Sequence, residues 1–340
     1  MTGLYFMGYM RTGLPFKIRA PLQRLKPNDN KEEYNIFTRT LYSNIYKYLK
    51  KTPLHQSRVL GDNVFLKRED LQPTFSFYIR GVLNQLLNED IKKPLITSSV
   101  GSRGLCLSYA SSLLKKESVI FMPQNTPKER VEMVNFFDSK IFLHGETTNS
   151  CQKMMEEYAH ANDMTIVGTH SNEDVIAGCG TIALEILREK KDVDAIFVPV
   201  GGGSLISGIC YNVKAMFPNV KVYGVEYEKQ NILYDSLMSG YLKEHPDPGL
   251  FGISVSKIDQ STFDICNEYL DDIVLVNKRD IESSIIDCFK DTRTVIEPHG
   301  ILSVSGLKKT KLEKKNIVCI ISDAGNVNCF DHVSSLYELV

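Results

Sequence analysis

The sequence predicts an α/β protein of two domains, each a mostly parallel sheet flanked by helices, with a cleft between them. Three observations predict it. Short strand-like runs alternate with helical stretches across 94–189 and again across 194–321, the pattern of parallel strands joined by right-handed crossovers. The run DAIFVPV at 194–200 is almost wholly apolar, as a strand covered on both faces must be. A length of 340 residues with 43% hydrophobic and 24% charged side chains suffices for about two globular cores.

Residues 1–33 show no sustained period and carry Pro15, Pro21 and Pro27, which reads as an extended arm. Its first 28 residues hold Arg11, Lys17, Arg19, Arg24 and Lys26 and no acid. That pattern suits an organelle transit segment, mitochondrial or plastid, but the stretch has no serine. The expected location is cytoplasmic, with an organelle as the alternative. Ile36, Leu41, Ile45 and Leu49 recur at helical spacing, so 34–49 reads as one or two short helices. A strand at 63–67 leads to a helix at 76–87 with Ser76 as its N-cap.

The alternating series follows. Strands are expected at 94–98, 118–122, 140–144 and 164–167, and helices at 104–115, 127–137, 149–162 and 174–189. Pro127 sits at a favoured first-turn position. The second series has strands at 194–200, 221–226, 272–276 and 316–321. Helices follow the first of these to about 217, then lie near 279–290, 297–307 and 331–339, and 243–262 reads as loop. The boundaries that result are a small domain at 94–190 and a large one formed by 34–93 plus 191–340.

Composition excludes several classes. A net charge of −1 gives no electrostatic case for nucleic acid or an anionic membrane. No apolar run approaches the roughly 20 residues of a membrane span. The eight cysteines form no CxxC pair and read as free buried thiols. No histidine spacing suggests a zinc site, and no metal is expected.

Four stretches carry chemistry. VGGGSLISG at 200–208 follows the buried strand and opens a helix. Glycines let backbone amides approach an anion, and the helix N-terminus adds partial positive charge. Gly201, Gly202, Gly203 and Ser204 are therefore the candidate phosphate or carboxylate cradle. No GK[ST] follows, so it is not a Walker loop. TSSVGSRG at 97–104 lies at another strand-to-helix corner, with Ser99, Gly101, Ser102 and Arg103 as candidate ligand contacts; Arg103 pairs with a carboxylate or is a solvated loop residue. ISDAGNVN at 321–328 ends the last strand, with Ser322 and Asp323 at the corner. KREDLQPTFSFYIRG at 67–81 joins a strand to a helix.

The last stretch resembles the signature K-R-E-D-x-x-P-x-x-S-F-K-x-R-G of pyridoxal-phosphate (PLP) enzymes of the threonine dehydratase family. Every fixed position matches except the lysine, which is Tyr78. The other stretches resemble the same family: the glycine loop its tetraglycine phosphate loop, 97–104 its S-A-G-N-H-A-Q-G, and 322–328 its S-G-A-N-V-N. DVIAGCGTIALE at 174–185 and TVIEPHG at 294–300 resemble it as well. The resemblance covers about residues 36–340 and points to the biosynthetic threonine dehydratases. It implies the two-domain PLP fold type II, PLP as cofactor, and a cofactor cleft between the domains. It further implies that Gly201, Gly202, Gly203, Ser204, Ser322 and Ser102 contact the cofactor. Ser99, Gly101 and Arg103 would then contact a substrate carboxylate. Besides Tyr78, the chain departs from the pattern at Ser102, Arg103, Gly104 and Leu105, which stand for the family's N-H-A-Q, at Ser204, which stands for the last glycine of the loop, and at two further places. One residue more separates Ser322 from the asparagine, so Asp323 either displaces Ser322 or itself approaches the ring. His299 stands where the family has a small residue. Glu297 lies near the cofactor or serves as helix N-terminal charge. The regulatory domain that usually follows is not expected.

In the family the lysine anchors PLP as an imine and serves as base for the α-proton of threonine, which becomes 2-oxobutanoate and ammonia. A phenol forms no imine, and with a reference pKa near ~10 it is a poor base at neutral pH. Losing a positioned base costs about 10²–10⁴ in rate. Lys67 is expected to point elsewhere. Three readings follow: a threonine dehydratase homologue with lost or impaired lyase activity and a retained small amino-acid or phosphate ligand site; a working PLP lyase or racemase using another lysine; and a non-catalytic subunit modulating an active paralogue. A homo-oligomer is expected in the first two.

Overall fold

The computed structural model describes residues 35–246, 255–310, 312 and 315–324. The expected arm at 1–33 and the helix expected near 331–339 lie outside the described residues, as do 247–254 and 325–330. The chain from Ile36 forms a short helix α1 (Ile36–Leu41) capped by Asn35, then a single 3-10 turn at Ile45–Lys47. Strand β1 (Leu54–Gln56) pairs antiparallel with β2 (Val64–Arg68), and a second 3-10 turn at Glu69–Leu71 leads to α2 (Tyr78–Asn88). The three residues of β1 are too few to show alternation in the sequence, and that strand was not expected.

The alternating series is as the periodicity requires. It runs β3 (Leu95–Ser98), α3 (Ser102–Leu114), β4 (Ser118–Met122), α4 (Lys128–Asn135), β5 (Lys140–Leu143), α5 (Thr148–Ala161), β6 (Thr165–Ile166) and α6 (Glu173–Glu189). Then come β7 (Ala195–Pro199), α7 (Ser204–Met216), β8 (Lys221–Tyr227), α8 (Ile232–Ser239), α9 (Gln260–Tyr269), β9 (Asp272–Val276), α10 (Lys278–Thr292), α11 (Leu302–Thr310) and β10 (Ile317–Ile321). Helix α8 was unexpected, and α9 begins within the stretch read as loop.

The strands form two sheets, ordered β1-β2-β10-β7-β8-β9 and β5-β4-β3-β6. Every pairing except β1 with β2 is parallel. Both sheets belong to one unit that begins at Tyr34. Inner strands β4, β7 and β10 are buried along their whole length, which is why they read as continuous apolar runs. Edge strand β5 alternates poorly and begins at exposed Lys140. One core packs Leu66, Phe197 and Cys319 of the larger sheet against Ile281, Ile285 and Leu302. A second joins Ile79, Val82, Leu83 and Leu86 of α2 to Leu95 and Ile120 of the smaller sheet. A third covers that sheet's other face, Ile96, Val119 and Phe121, with Cys151, Met155 and Ala159 of α5. At about 25 cal/mol per Å² of apolar area, these buried faces are the main term fixing the elements. The described cysteines are all buried and free.

One capping expectation needs correction. Helix α2 starts at Tyr78, its cap position is Phe77 in helical backbone, and no side chain caps it. Ser76 is instead held in extended pairing with Asp323, and its hydroxyl accepts from Tyr78 N at 3.3 Å.

Candidate active site

In a parallel sheet the loops after the strands' C-terminal ends open on one side, and helix N-termini point there. The corners after β3, β7 and β10, with the loop after β6, converge on one cleft. It encloses about 950 Å³, counting the solvent at its mouth. Tyr78, Ser99, Gly101, Ser102, Arg103, Gly201, Gly202, Gly203, Ser204 and Ser322 all line it. The cleft thus brings these candidates together with Asp323 and His299, which the sequence also marked, and adds His170, Arg130 and Thr148, while Glu297 is not among its lining residues.

The glycine loop joins β7 to α7. Gly203 has φ +103°, a conformation that L side chains avoid. A Cβ on Gly202 would collide with the His170 ring, and one on Gly203 with Thr262. The loop is therefore pressed between these two side chains. The hydroxyls of Ser204 and Thr262 are buried without a hydrogen-bond partner, although Ser204 lies beside the Cys179 thiol. Buried polar groups are rarely left so unless a ligand or water meets them. Burial pushes His170 down to about 3, with Arg103 adding to the effect, so His170 is a neutral wall of the loop.

At the α3 corner, Ser99 Oγ accepts from Gly101 N at 3.1 Å, which shapes the turn. Arg103 is the second residue of α3, not a solvated loop residue. Its Nη2 donates to Ser98 O at 2.5 Å, and its Nε is buried without a partner. Burial lowers its pKa, opposed by Tyr78 and Asp259. Arg130 Nη1 donates to Val100 O at 2.6 Å and so comes to the same wall.

Tyr78 is half-buried at the first position of α2, stacked on Phe77 with ring centroids 4.3 Å apart and 5.8 Å from the His170 ring. Burial raises its phenol far above the ordinary value, opposed by Arg103 and reinforced by Asp323. It stays protonated at any physiological pH and brings a neutral hydroxyl to the cleft.

The floor is the corner after β10. Asp323 is 0% exposed, and neither carboxylate oxygen has a well-formed hydrogen bond. Its neighbours are the Ser76 and Ser322 hydroxyls and His299. His299 lies between two acids, with Nε2 at 3.4 Å from Asp323 Oδ2 and Nδ1 at 3.4 Å from Glu297 Oε2. Burial raises the Asp323 carboxyl, but His299 and the serine hydroxyls outweigh it and leave the group below its usual range. Glu297 precedes α11 by five residues, so it is not a helix N-terminal charge; it is buried beside His299.

Behind the cleft, the same 67–81 stretch builds a closed network. Arg80 donates to Glu69 at 2.6 and 2.8 Å and to Glu185 at 2.7 and 3.0 Å. Lys67 Nζ donates to Glu185 Oε2 at 2.5 Å and to Thr52 O at 2.7 Å. Lys67 is fully buried there. Among the described residues that line the cleft there is no lysine, and no group of three metal-ligating side chains occurs among the described residues.

His170 and Arg130 were not singled out from the sequence. The signal available for His170 was its place just beyond a strand of the smaller sheet, where loops of parallel sheets carry sites. Arg130 comes from a helix face with no motif.

A family model for pyridoxal-phosphate dependent enzymes matches residues 45–323. The chain is 36% identical over 313 residues to the biosynthetic L-threonine dehydratase IlvA of Pasteurella multocida, covering 88% of this chain and 61% of that protein. It is 36% identical over 325 residues to the mitochondrial threonine dehydratase of Schizosaccharomyces pombe, covering 91% and 54%. The chain thus spans a little over half the length of these curated relatives. Its fold superposes on the processed form of threonine deaminase isoform 2 from Solanum lycopersicum with a TM-score of 0.85 at 30% identity, covering 88% of this chain and 92% of that one. Maize serine racemase shares the fold at a TM-score of 0.82 and 22% identity, over 90% of this chain and 98% of that one.

Proposed function

The chain belongs to the pyridoxal-phosphate dependent enzyme family, and on that premise we propose that it is a threonine dehydratase-like protein that keeps the phosphate end of the site and has lost or strongly impaired lyase chemistry. The observation that carries this reading is the pairing of Tyr78 at the start of α2 with a described cleft lining that holds no lysine.

The residues present fit one end of the family's cofactor. The glycine loop, the N-terminus of α7 and the unpartnered Ser204 hydroxyl suit a phosphate monoester. The other end does not fit. Position 78 supplies a neutral phenol, and Lys67 is held by Glu185 and Thr52 on the far side. Family members use PLP to stabilise a carbanion at the substrate's α-carbon. Here no group at position 78 is poised to capture the cofactor or accept the α-proton.

What this chain's residues do is bind and orient. The loop after β7 takes the phosphate. Ser99 and Gly101 shape the α3 corner, where Arg103 presents a guanidinium for a carboxylate. Ser102 and Ser322 line the space between. The test is purified protein incubated with PLP, reduced with borohydride and mapped by peptide mass spectrometry. The expected result is bound but unattached PLP; a reduced adduct on one specific lysine overturns the reading and identifies the replacement residue.

A further inference from the structure

The wall of the cleft that the smaller sheet builds is cationic. Two guanidiniums stand on it, both tied to the corner after β3: Arg103 Nη2 donates to Ser98 O at 2.5 Å and Arg130 Nη1 to Val100 O at 2.6 Å. Those carbonyls are two residues apart in the chain, a span of at most about 7 Å. The Arg130 guanidinium lies over Gly101, with Nη1 3.5 Å from where a Cβ on that glycine would stand. The Arg103 stem crosses Gly168, and its Nε is buried without a partner. Helix N-termini add partial positive charge: α3 begins at Ser102 and α5 at Thr148, and both residues line the cleft. Among the described lining residues the single acid is Asp323, on the floor after β10. The acid whose charge reaches Arg103, Asp259, is not among the lining residues. A guanidinium carries five N–H donors in a planar fork, so a bond to one backbone carbonyl leaves each arginine able to take a carboxylate as well.

We propose that this wall selects a small dicarboxylate, with one carboxylate meeting Arg103 at the α3 N-terminus and the other meeting Arg130, and that Arg130 is the residue that sets the preference for a second charge. This rests on the carboxylate role given to Arg103 in the proposed function and adds the class of ligand. A monocarboxylate engages one fork and leaves the other on the carbonyl it already holds. A short diacid engages both, because the two forks are anchored so close together.

The probes are succinate and succinamate, which share a skeleton and differ only in that one carboxylate becomes an amide. Neither carries phosphate or a cationic nitrogen. Ligand-observed NMR titration of the full chain at neutral pH and constant ionic strength is expected to show succinate binding at least about fivefold more tightly, the worth of about one charge-assisted pair. Arg130→Gln is expected to bring the two affinities within about twofold and leave succinamate unchanged, while Arg103→Gln weakens both. Equal affinities in the wild-type chain, which need no folded variant to read, overturn the inference and leave the carboxylate role of Arg103 standing. A preference that survives Arg130→Gln also overturns it, and so does one abolished by Ser204→Ala, which would seat the second carboxylate on the glycine loop. Failure of both probes to bind overturns the inference together with the carboxylate role of Arg103; the borohydride test with PLP reads the rest of the proposed function separately.

Discussion

The 67–81 stretch has two faces, and they treat polar groups in opposite ways. On the inner face Lys67, Glu69 and Arg80 form a network in which each charge meets its partner at 2.5–3.1 Å. On the outer face, Tyr78 looks onto Asp323, Ser204 and Arg103, whose polar atoms include several buried without partners. The inner face closes on itself and serves stability. The outer face is complete only when something else supplies its hydrogen bonds. A buried polar group therefore says little by itself; its satisfaction within the chain separates scaffold from site.

The sharpest way to break this contrast is at position 78. Tyr78→Lys, incubated with PLP and reduced with borohydride, is expected to go from no adduct to about one adduct per chain at that position, read by intact mass. A cleft that still forms none lacks more than a lysine at position 78. The next largest effect is on stability. Arg80→Ala leaves Glu69 and Glu185 buried without their cation and is expected to cost about 3–5 kcal/mol in urea unfolding, whereas Arg103→Ala is expected to cost less than about 1 kcal/mol. Comparable losses would erase the distinction between the faces.

Glu226 sharpens it further, because it is hydrogen-bonded yet has no cation. Its carboxyl accepts from Leu233 N at 3.0 Å and Tyr234 N at 2.8 Å, but burial, opposed by those bonds, pushes its pKa up to about 8. Between its ordinary value of 4.5 and 8, the folded chain holds a proton that the unfolded chain has released. This contribution to stability is full below that window and falls as pH rises through it, by up to about 1.4 kcal/mol per unit. Glu226→Gln is expected to flatten the fall of melting temperature between pH 5 and 8; an unchanged slope would assign the pH dependence elsewhere. The smallest effect is at Phe75, a non-glycine residue at φ +56° whose ring is half exposed. Phe75→Gly is expected to stabilise by up to about 1 kcal/mol in thermal unfolding, since left-handed backbone costs a side chain about that much; a loss would show that the exposed ring is needed.

The alternating elements were legible because their signal is local: buried inner strands such as Ala195–Pro199 read as apolar runs, and Gly203 marks its turn by residue type. Strand β1 and helix α8 were not legible, being short and fixed by tertiary pairing rather than period. The cleft's motif residues were legible from spacing. Its charge balance was not, because it depends on His299 reaching Asp323 and Glu297, whereas Lys67 points away from the cleft, as expected.

The antiparallel bridge at Ser76 and Asp323 has a mechanical meaning. Phe77 N donates to Ser322 O at 3.0 Å and Ala324 N to Phe75 O at 2.9 Å, so the lead-in to Tyr78 is strapped to the floor that carries Asp323. Neither can open to solvent without the other. The amides of Phe77 and Ala324 should then exchange hydrogen for deuterium in step, and anything that seats on Asp323 should slow both at once.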